Sequence, residues 1–455
     1  MPRTLAGVAE AVRGRLVGGD APFGVVGTDT RDLLPGALFV AIRGERHDGN
    51  RFVAEAAAKG AAGALVSALA QTPLPQVEVP DTRAALGTMA NAWRCNFRIP
   101  VIAITGSSGK TTVKELTASI VGIGRSVCVT QGNLNNDIGV PLTLMRLTDQ
   151  HDIAVVELGA NHAGEIDYLG RLAEPTVGVI TNAGAAHLEG FGSVAGVAAA
   201  KGELLDRLPR AGTAVLNADD RFVPEWRSRA RSGNVITFGF AAEADVTVVG
   251  EPKLGAAGSS FTLRLPDGET VAADLPLLGR QNVANALAAA AAAYAVGAGP
   301  EQIGAGLARA AAVHGRMRTL RGRIGATIVD DSYNANPSSA RAALDYLAAL
   351  GGHRIFVLGD MFELGPDAAA LHREVGEYAR GRCDVLVAVG KLAREAAAAY
   401  GDPAEVCDDI DAAVGTVTPM LGADTTVLVK ASRGMGLDRL VDALEEPSGR
   451  EGSPC

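Results

Sequence analysis

Aromatic residues are scarce, with Phe, Trp and Tyr together making 4% of 455 residues. A chain with so few rings must fill its interior with small aliphatic side chains. Its 47% hydrophobic residues and 56 glycines are suited to close helix–sheet contacts in an α/β protein. Long apolar runs are missing as well, so no segment has the length of a membrane span. No block of Lys or Arg occurs and the formal net charge is −9, which sets aside a nucleic-acid binder. No charged start followed by an apolar stretch marks an export signal, so a cytoplasmic location is expected. Cys95, Cys128, Cys383, Cys407 and Cys455 are scattered, odd in number and without a C-x-x-C pair, which reads as reduced thiols.

What is present centres on Ile99-Pro-Val-Ile-Ala-Ile-Thr105 followed by Gly106-Ser-Ser-Gly-Lys-Thr-Thr112. The apolar, β-branched run reads as a buried parallel strand. Gly106 and Gly109 free the backbone to curl, so that the N–H groups around Ser107 and Ser108 point inward. Lys110 adds a mobile positive charge, the Thr111 hydroxyl suits Mg²⁺, and after Thr112 the segment from Val113 to Val121 reads as a helix with its N-terminus toward the phosphates. The common eight-residue loop would want glycine where Ile104 stands, so this is the shorter G-x-x-G-K-T form. It points to ATP-dependent enzymes rather than to GTPases or kinases. The competing reading is a strand–turn–helix junction with an incidental lysine.

Three α/β units are expected: a small N-terminal domain over residues 1–98, a central parallel sheet of ATPase type over 99–314, and a Rossmann-like doubly wound sheet over 315–446. The first block reads as strand-poor, with short strands at 37–42 and 61–66. The second alternates strands at 153–157, 177–182 and 213–217 with helices and closes on an Ala-rich helix from Asn282 to Val296. Strands at 326–330, 354–359, 385–389 and 426–430 restart the alternation. The polar tail 447–455 is expected to be disordered.

Ligands of open α/β sheets sit beyond the carboxyl ends of the strands. Glu157 ends an apolar strand, where a carboxylate is out of place unless it serves a cation, and with Thr111 it would hold one Mg²⁺. The bland alternative is a strand end in water. His187 follows the next strand and reads equally as a site residue or as a satisfied loop histidine. Lys201, within Ala198-Ala-Ala-Lys-Gly-Glu203, reads on residues alone as a solvated helix lysine, since a cation cannot ligate a metal. Arg316 opens the third block, from where a planar guanidinium could reach a γ-phosphate or simply bridge domains. Asp331 and Asn336 stand beside Pro337 and could merely shape a turn.

Taken together, the short phosphate loop, Glu157, His187, Lys201 and the second doubly wound block resemble the Mur ligases over nearly the whole chain. The resemblance is carried by Asp29-Thr-Arg-Asp-Leu-Leu-Pro-Gly36, Gly132-Asn-Leu-Asn-Asn-Asp-Ile-Gly-Val-Pro141, Glu157-Leu-Gly-Ala-Asn161, Ala186-His-Leu-Glu-Gly-Phe-Gly-Ser193, Asp331-Ser-Tyr-Asn-Ala-Asn-Pro337 and Leu358-Gly-Asp-Met-Phe-Glu-Leu-Gly365. The Asp-Asn-Pro-Arg motif of the family member that adds diaminopimelate is missing. The resemblance implies an amide ligase using ATP and two Mg²⁺, with UDP-N-acetylmuramoyl-tripeptide and D-alanyl-D-alanine as substrates and a single chain as the working unit. It places Asp29, Thr30, Arg31 and the loop 43–50 near the uridine diphosphate. Asn133, Asn135, Asn136, Asn334 and Asn336 become further substrate contacts, and Asn282, Asn285, Arg316 and Asp331 nucleotide contacts. It also makes Lys201 a carbamate, which turns a cation into an acid able to serve a second Mg²⁺ with His187. Three residues depart from the family pattern: Gln281 for a histidine, Ala431 for a glycine and Gly436 for a glutamate. The rivals are a folate-extending ligase on the same fold and a nucleotide-dependent switch that makes no bond.

Overall fold

The computed structural model describes residues 3–44, 47–231 and 233–446. Glu45 and Arg46 of the loop 43–50, and the tail 447–455 expected to be disordered, lie outside the described residues. Val101–Thr105 is apolar toward both faces, and all five of its residues are buried. Such a strand belongs in mid-sheet. It lies within six parallel strands in the spatial order Asn234–Phe238, Thr213–Asn217, Val177–Ile180, Val101–Thr105, Ile153–Glu157, Val127–Val129. On one face, Ile102, Ile104, Ile153 and Val155 pack with the helices Lys110–Val121 and Arg280–Tyr294. The run Ala286 to Ala293 of the latter helix is wholly buried, its small side chains letting it lie close to its neighbours. On the other face, Val101, Ala103, Ala154 and Val156 share a core with Leu86, Met89 and Ala90 of Thr82–Arg94, the helix that joins the first block to the second. Buried Arg94 ties that junction, its Nε donating to the Ala173 carbonyl at 3.0 Å. Ile102→Ala, at a wholly buried position of this core, is expected to cost about 2–5 kcal/mol in a urea titration.

The N-terminal block is richer in strands than its sequence suggests. Five short strands form one sheet, Arg15–Val17, Gln76–Glu78, Gly63–Val66, Leu38–Val40 and Val26–Gly27, with the first antiparallel to its neighbour. The missed strands are two or three residues long, too short to show a periodicity. The middle block also carries an unexpected antiparallel sheet of Thr247–Gly255, Gly258–Arg264 and Thr270–Leu275. Its signal was an alternation, with Phe261 and Leu263 buried between partly exposed neighbours. In the C-terminal sheet, Thr327–Asp331, Thr425–Lys430, His353–Gly359, Val385–Val389 and Ala404–Cys407 run parallel, while Arg318–Arg321 adds an antiparallel edge.

In the central sheet the chain leaves Val101–Thr105 toward one edge and later builds the opposite side, so the strand order reverses beside that strand. A ligand crevice is expected at the carboxyl end of such a reversal.

Candidate active site

A cavity of about 970 Å³ lies at that reversal. Its walls come from all three blocks: Arg83 from the N-terminal side, the phosphate loop, Glu157 and His187 from the centre, and Arg316, Tyr333 and Lys430 from the C-terminal side.

The phosphate loop has the expected backbone. Gly106 and Gly109 adopt φ of +150° and +82°, and a Cβ at either position would collide with Thr181 Oγ1 or Asn285 Oδ1 respectively. The loop is stitched to the neighbouring strand end. Ser108 donates its N–H to Asn182 Oδ1 at 2.9 Å, and the Ser108 carbonyl accepts from Thr181 Oγ1 at 2.6 Å. Ser107 donates its N–H to the Asn182 carbonyl at 3.0 Å. Thr181 and Asn182 were not among the sequence candidates; polar residues after a strand look like any loop. Gly109→Ala is expected to lose nucleotide binding by at least tenfold in calorimetry, since the change combines strain with the clash against Asn285.

Lys110 Nζ donates to the Gly106 carbonyl at 2.7 Å. Burial lowers its pKa, with Glu157 opposing and Arg316 reinforcing the shift. Thr111 Oγ1 accepts from Arg316 Nη2 at 2.9 Å, so Arg316 reaches across the domain boundary to the loop, its guanidinium stacked 4.3 Å over the Tyr333 ring. A second bond across the boundary runs from Asn336 Nδ2 to Ser108 Oγ at 3.0 Å. Asn336 also caps the helix Pro337–Ala348 in a box with Ser339, so it both shapes the turn and touches the loop.

Glu157 is 1% exposed. Its backbone N–H donates to Thr130 Oγ1 at 3.0 Å and its Oε1 accepts from Asn135 Nδ2 at 2.8 Å, whereas Oε2 is buried with no partner among the described residues. A buried carboxylate oxygen left open in this way is placed to meet a cation. Asn133 lines the same cavity, and Asn136 serves the backbone, its Oδ1 accepting the Gly139 N–H at 2.8 Å.

Lys201 overturns the reading as a solvated lysine. It is 1% exposed on the helix Val194–Gly202, with one long contact to the Ala160 carbonyl at 3.4 Å and the Phe191 ring 5.1 Å away. Burial, helped by the charge of Lys110, pushes its pKa down to about 7. Lys201 is buried with Val197, Ala198 and Ala200, whereas Ala195 and Ala199 are exposed, and alanines on both faces leave no amphipathic signature. His187 lines the cavity in a left-handed conformation, φ +53°, with Glu363 against Nδ1. Burial holds its pKa below the ordinary value, against the pull of Glu363. Among the described residues no group of three His, Cys, Asp or Glu side chains could hold an ion alone. An ion here would draw on Glu157 and Thr111 together with phosphate oxygens. The open oxygen of Glu157 fits that demand, and the thinly partnered amine of Lys201 suits modification.

Asn285 donates to Asn282 Oδ1 at 2.9 Å, and Asn282 Nδ2 in turn donates to the Leu278 carbonyl at 2.8 Å. Gln281 lines the cavity beside them. Burial raises the pKa of Asp331, and Lys430 offsets this through an ion pair of 2.5 Å, nearly inaccessible on the lysine side. Lys430 also donates to the Asn334 carbonyl at 3.0 Å, fixing the loop that carries Asn334. The remaining departures are locally consistent. The Ala431 methyl fits because residue 359 is glycine, and Gly436 sits at φ +65°, a conformation that strains any other side chain.

Asp29, Thr30 and Arg31 lie in the connection between the strands Val26–Gly27 and Leu38–Val40 of the N-terminal sheet and do not line the main cavity. Asp29 and Arg31 form an exposed ion pair, which lowers the Asp29 pKa to about 2, while Thr30 is buried and its carbonyl accepts from Lys59 Nζ.

Three family models match consecutive parts of the chain: "Mur ligase family, catalytic domain" over 22–94, "Mur ligase middle domain" over 104–293 and "Mur ligase, glutamate ligase domain" over 315–433. A protein of Escherichia coli K12 named UDP-N-acetylmuramoyl-tripeptide–D-alanyl-D-alanine ligase is 45% identical over 97% of this chain and 98% of its own. The crystal structure of MurF from Acinetobacter baumannii superposes with a TM-score of 0.91 at 35% identity, covering 97% of this chain and 98% of that one. MurF from Thermotoga maritima in complex with ADP superposes with a TM-score of 0.83 at 26% identity, covering 92% and 96%. Full-length identity at this level, with all three domain models in order, means that the chain belongs to the Mur ligase family.

Proposed function

We propose that this chain is an ATP-dependent amide ligase that joins D-alanyl-D-alanine to UDP-N-acetylmuramoyl-tripeptide, giving the UDP-pentapeptide precursor of peptidoglycan. The observation that carries the reading is the convergence of Lys110, Glu157, His187 and Arg316 on one cavity with walls from all three domains, with Lys201 buried near enough for its charge to act on His187. A switch that merely holds ATP has no use for Glu157, His187 and Lys201 gathered around a metal.

The terminal carboxylate of the tripeptide attacks the γ-phosphorus of ATP, ADP leaves, and an acyl phosphate remains. Both reactants are anions, so their approach is the difficult step. Lys110 and Arg316 place positive charge on the γ-phosphate from opposite domains. Two Mg²⁺ ions, one on Thr111 and Glu157, one on His187 and the carbamate of Lys201, would screen the remaining repulsion. Asn135 orients Glu157, while Asn282 and Asn285 back the nucleotide side of the loop. The amine of D-alanyl-D-alanine then attacks the acyl carbon and phosphate departs. Water would destroy the acyl phosphate, and the Arg316–Thr111 and Asn336–Ser108 bonds keep the C-terminal domain closed over the loop. The uridine diphosphate end falls to the N-terminal block, near Asp29, Thr30 and Arg31. One chain supplies every wall of the cavity, so a monomer suffices. Among the described residues no helix is long and apolar enough to cross a membrane.

The acyl phosphate makes a test independent of substrate naming. Tripeptide labelled with ¹⁸O in its terminal carboxylate is expected to pass one label into each phosphate released. Unlabelled phosphate contradicts the mechanism.

A further inference from the structure

The loop 359–365 of the C-terminal domain is fixed at nearly every residue. Asp360 accepts the N–H groups of Leu392 and Ala393, both at 2.8 Å, at the start of the helix Ala393–Tyr400. Buried His372 accepts the Met361 N–H at 2.9 Å, and Ser432 Oγ accepts the Phe362 N–H at 2.8 Å. Met361 and Leu364 are buried. Within this frame Glu363 is held at φ +62°, a left-handed conformation unfavourable for a non-glycine residue. Strain of this kind persists only where the surroundings enforce it, and it concentrates at working sites. Its result is that the Glu363 side chain leaves its own domain. Its carboxylate lies close against buried His187 Nδ1, which has no aligned hydrogen bond among the described residues; its carbonyl accepts the Glu189 N–H at 3.3 Å, and Gly365 abuts Glu189. His187 lines the cavity, and Glu363 stands behind it.

We propose that Glu363 is a positioning residue which, on domain closure, fixes the His187 ring through Nδ1 and so turns Nε2 toward the second metal site. This rests on the two-metal reading above. A carboxylate behind a ligating histidine sets the tautomer and the ring orientation, and losing such a partner typically weakens metal binding 10–100-fold. The partner here comes from another domain. The second site is therefore complete only when the C-terminal domain has closed, so metal occupancy reports closure and the open enzyme does not form acyl phosphate in contact with water.

The test uses the whole protein with Mn²⁺ and a non-hydrolysable ATP analogue, counting bound ions by electron paramagnetic resonance. Wild-type protein is expected to hold two Mn²⁺. Glu363→Ala is expected to hold the first normally and the second 10–100-fold more weakly, with an unchanged unfolding temperature. Glu363→Gln, which keeps an acceptor oxygen, is expected to recover most of the second affinity. The same series read as turnover against Mg²⁺ should show a raised Mg²⁺ requirement with kcat largely restored at saturation. Two Mn²⁺ in wild type with equal affinities in Glu363→Ala overturn the proposal alone. A single Mn²⁺ in wild type overturns the two-metal reading and this proposal with it.

Discussion

Replacing Lys110 by Ala is expected to lower the ligation rate by at least two to three orders of magnitude while leaving the fold intact. The magnitude follows from where the charge acts. Removing one preorganised group at a developing or transferring charge costs about 10²–10³ in rate. Lys110 approaches the phosphates together with Arg316, and its depressed pKa reflects a site already short of solvent. The fold should tolerate the change because, among the described residues, Nζ hydrogen-bonds to the Gly106 carbonyl alone. Circular dichroism and unfolding temperature therefore separate lost chemistry from lost structure. Glu157→Ala is expected to behave alike for a different reason: it removes a buried anion whose second oxygen has no partner among the described residues. Full activity in either variant would remove the phosphate-transfer assignment.

The second large effect is at Lys201. Lys201→Ala is expected to lose activity by a comparable factor and to regain part of it when a short-chain carboxylate is added. The reason is chemical. A cationic amine repels Mg²⁺, and only the neutral amine adds carbon dioxide. Burial brings the pKa to about 7, so the amine is mostly neutral a little above neutrality, where an exposed lysine would be charged. As pH falls through 7 the amine protonates and carbamate formation is lost. Activity after removal of carbon dioxide should thus recover with added bicarbonate at pH 8 and poorly at pH 6. Carbon-13 resonance of protein exchanged with labelled bicarbonate should carry a carbamate signal that is missing from Lys201→Ala. An active Lys201→Ala would exclude the role.

These two residues illustrate unequal legibility. Lys110 sits in a contiguous strand–loop–helix pattern whose residue types have a local physical reason, and it could be read directly. Glu157 was readable for a related reason, as a charge closing an apolar strand. Lys201 was not, because nothing within its Ala-rich helix distinguishes a buried lysine from a solvated one; only the resemblance to a family gave it a role. His187 was open for the same reason, its meaning set by a carboxylate 176 positions further along the chain. Thr181 and Asn182 escaped notice because they act by holding the loop backbone. In the fold, long apolar strands were legible and the short N-terminal strands were not. The antiparallel sheet beginning at Thr247 was legible in its alternation and was overlooked beside the stronger strand–helix signal.

The most direct measurement is phosphate release by the purified protein with ATP, Mg²⁺, UDP-N-acetylmuramoyl-tripeptide and D-alanyl-D-alanine, omitting each in turn. Release that requires all four, with a UDP-pentapeptide product by mass, is the predicted result. Sustained release without the peptide substrates, or none with all of them present, would contradict the account.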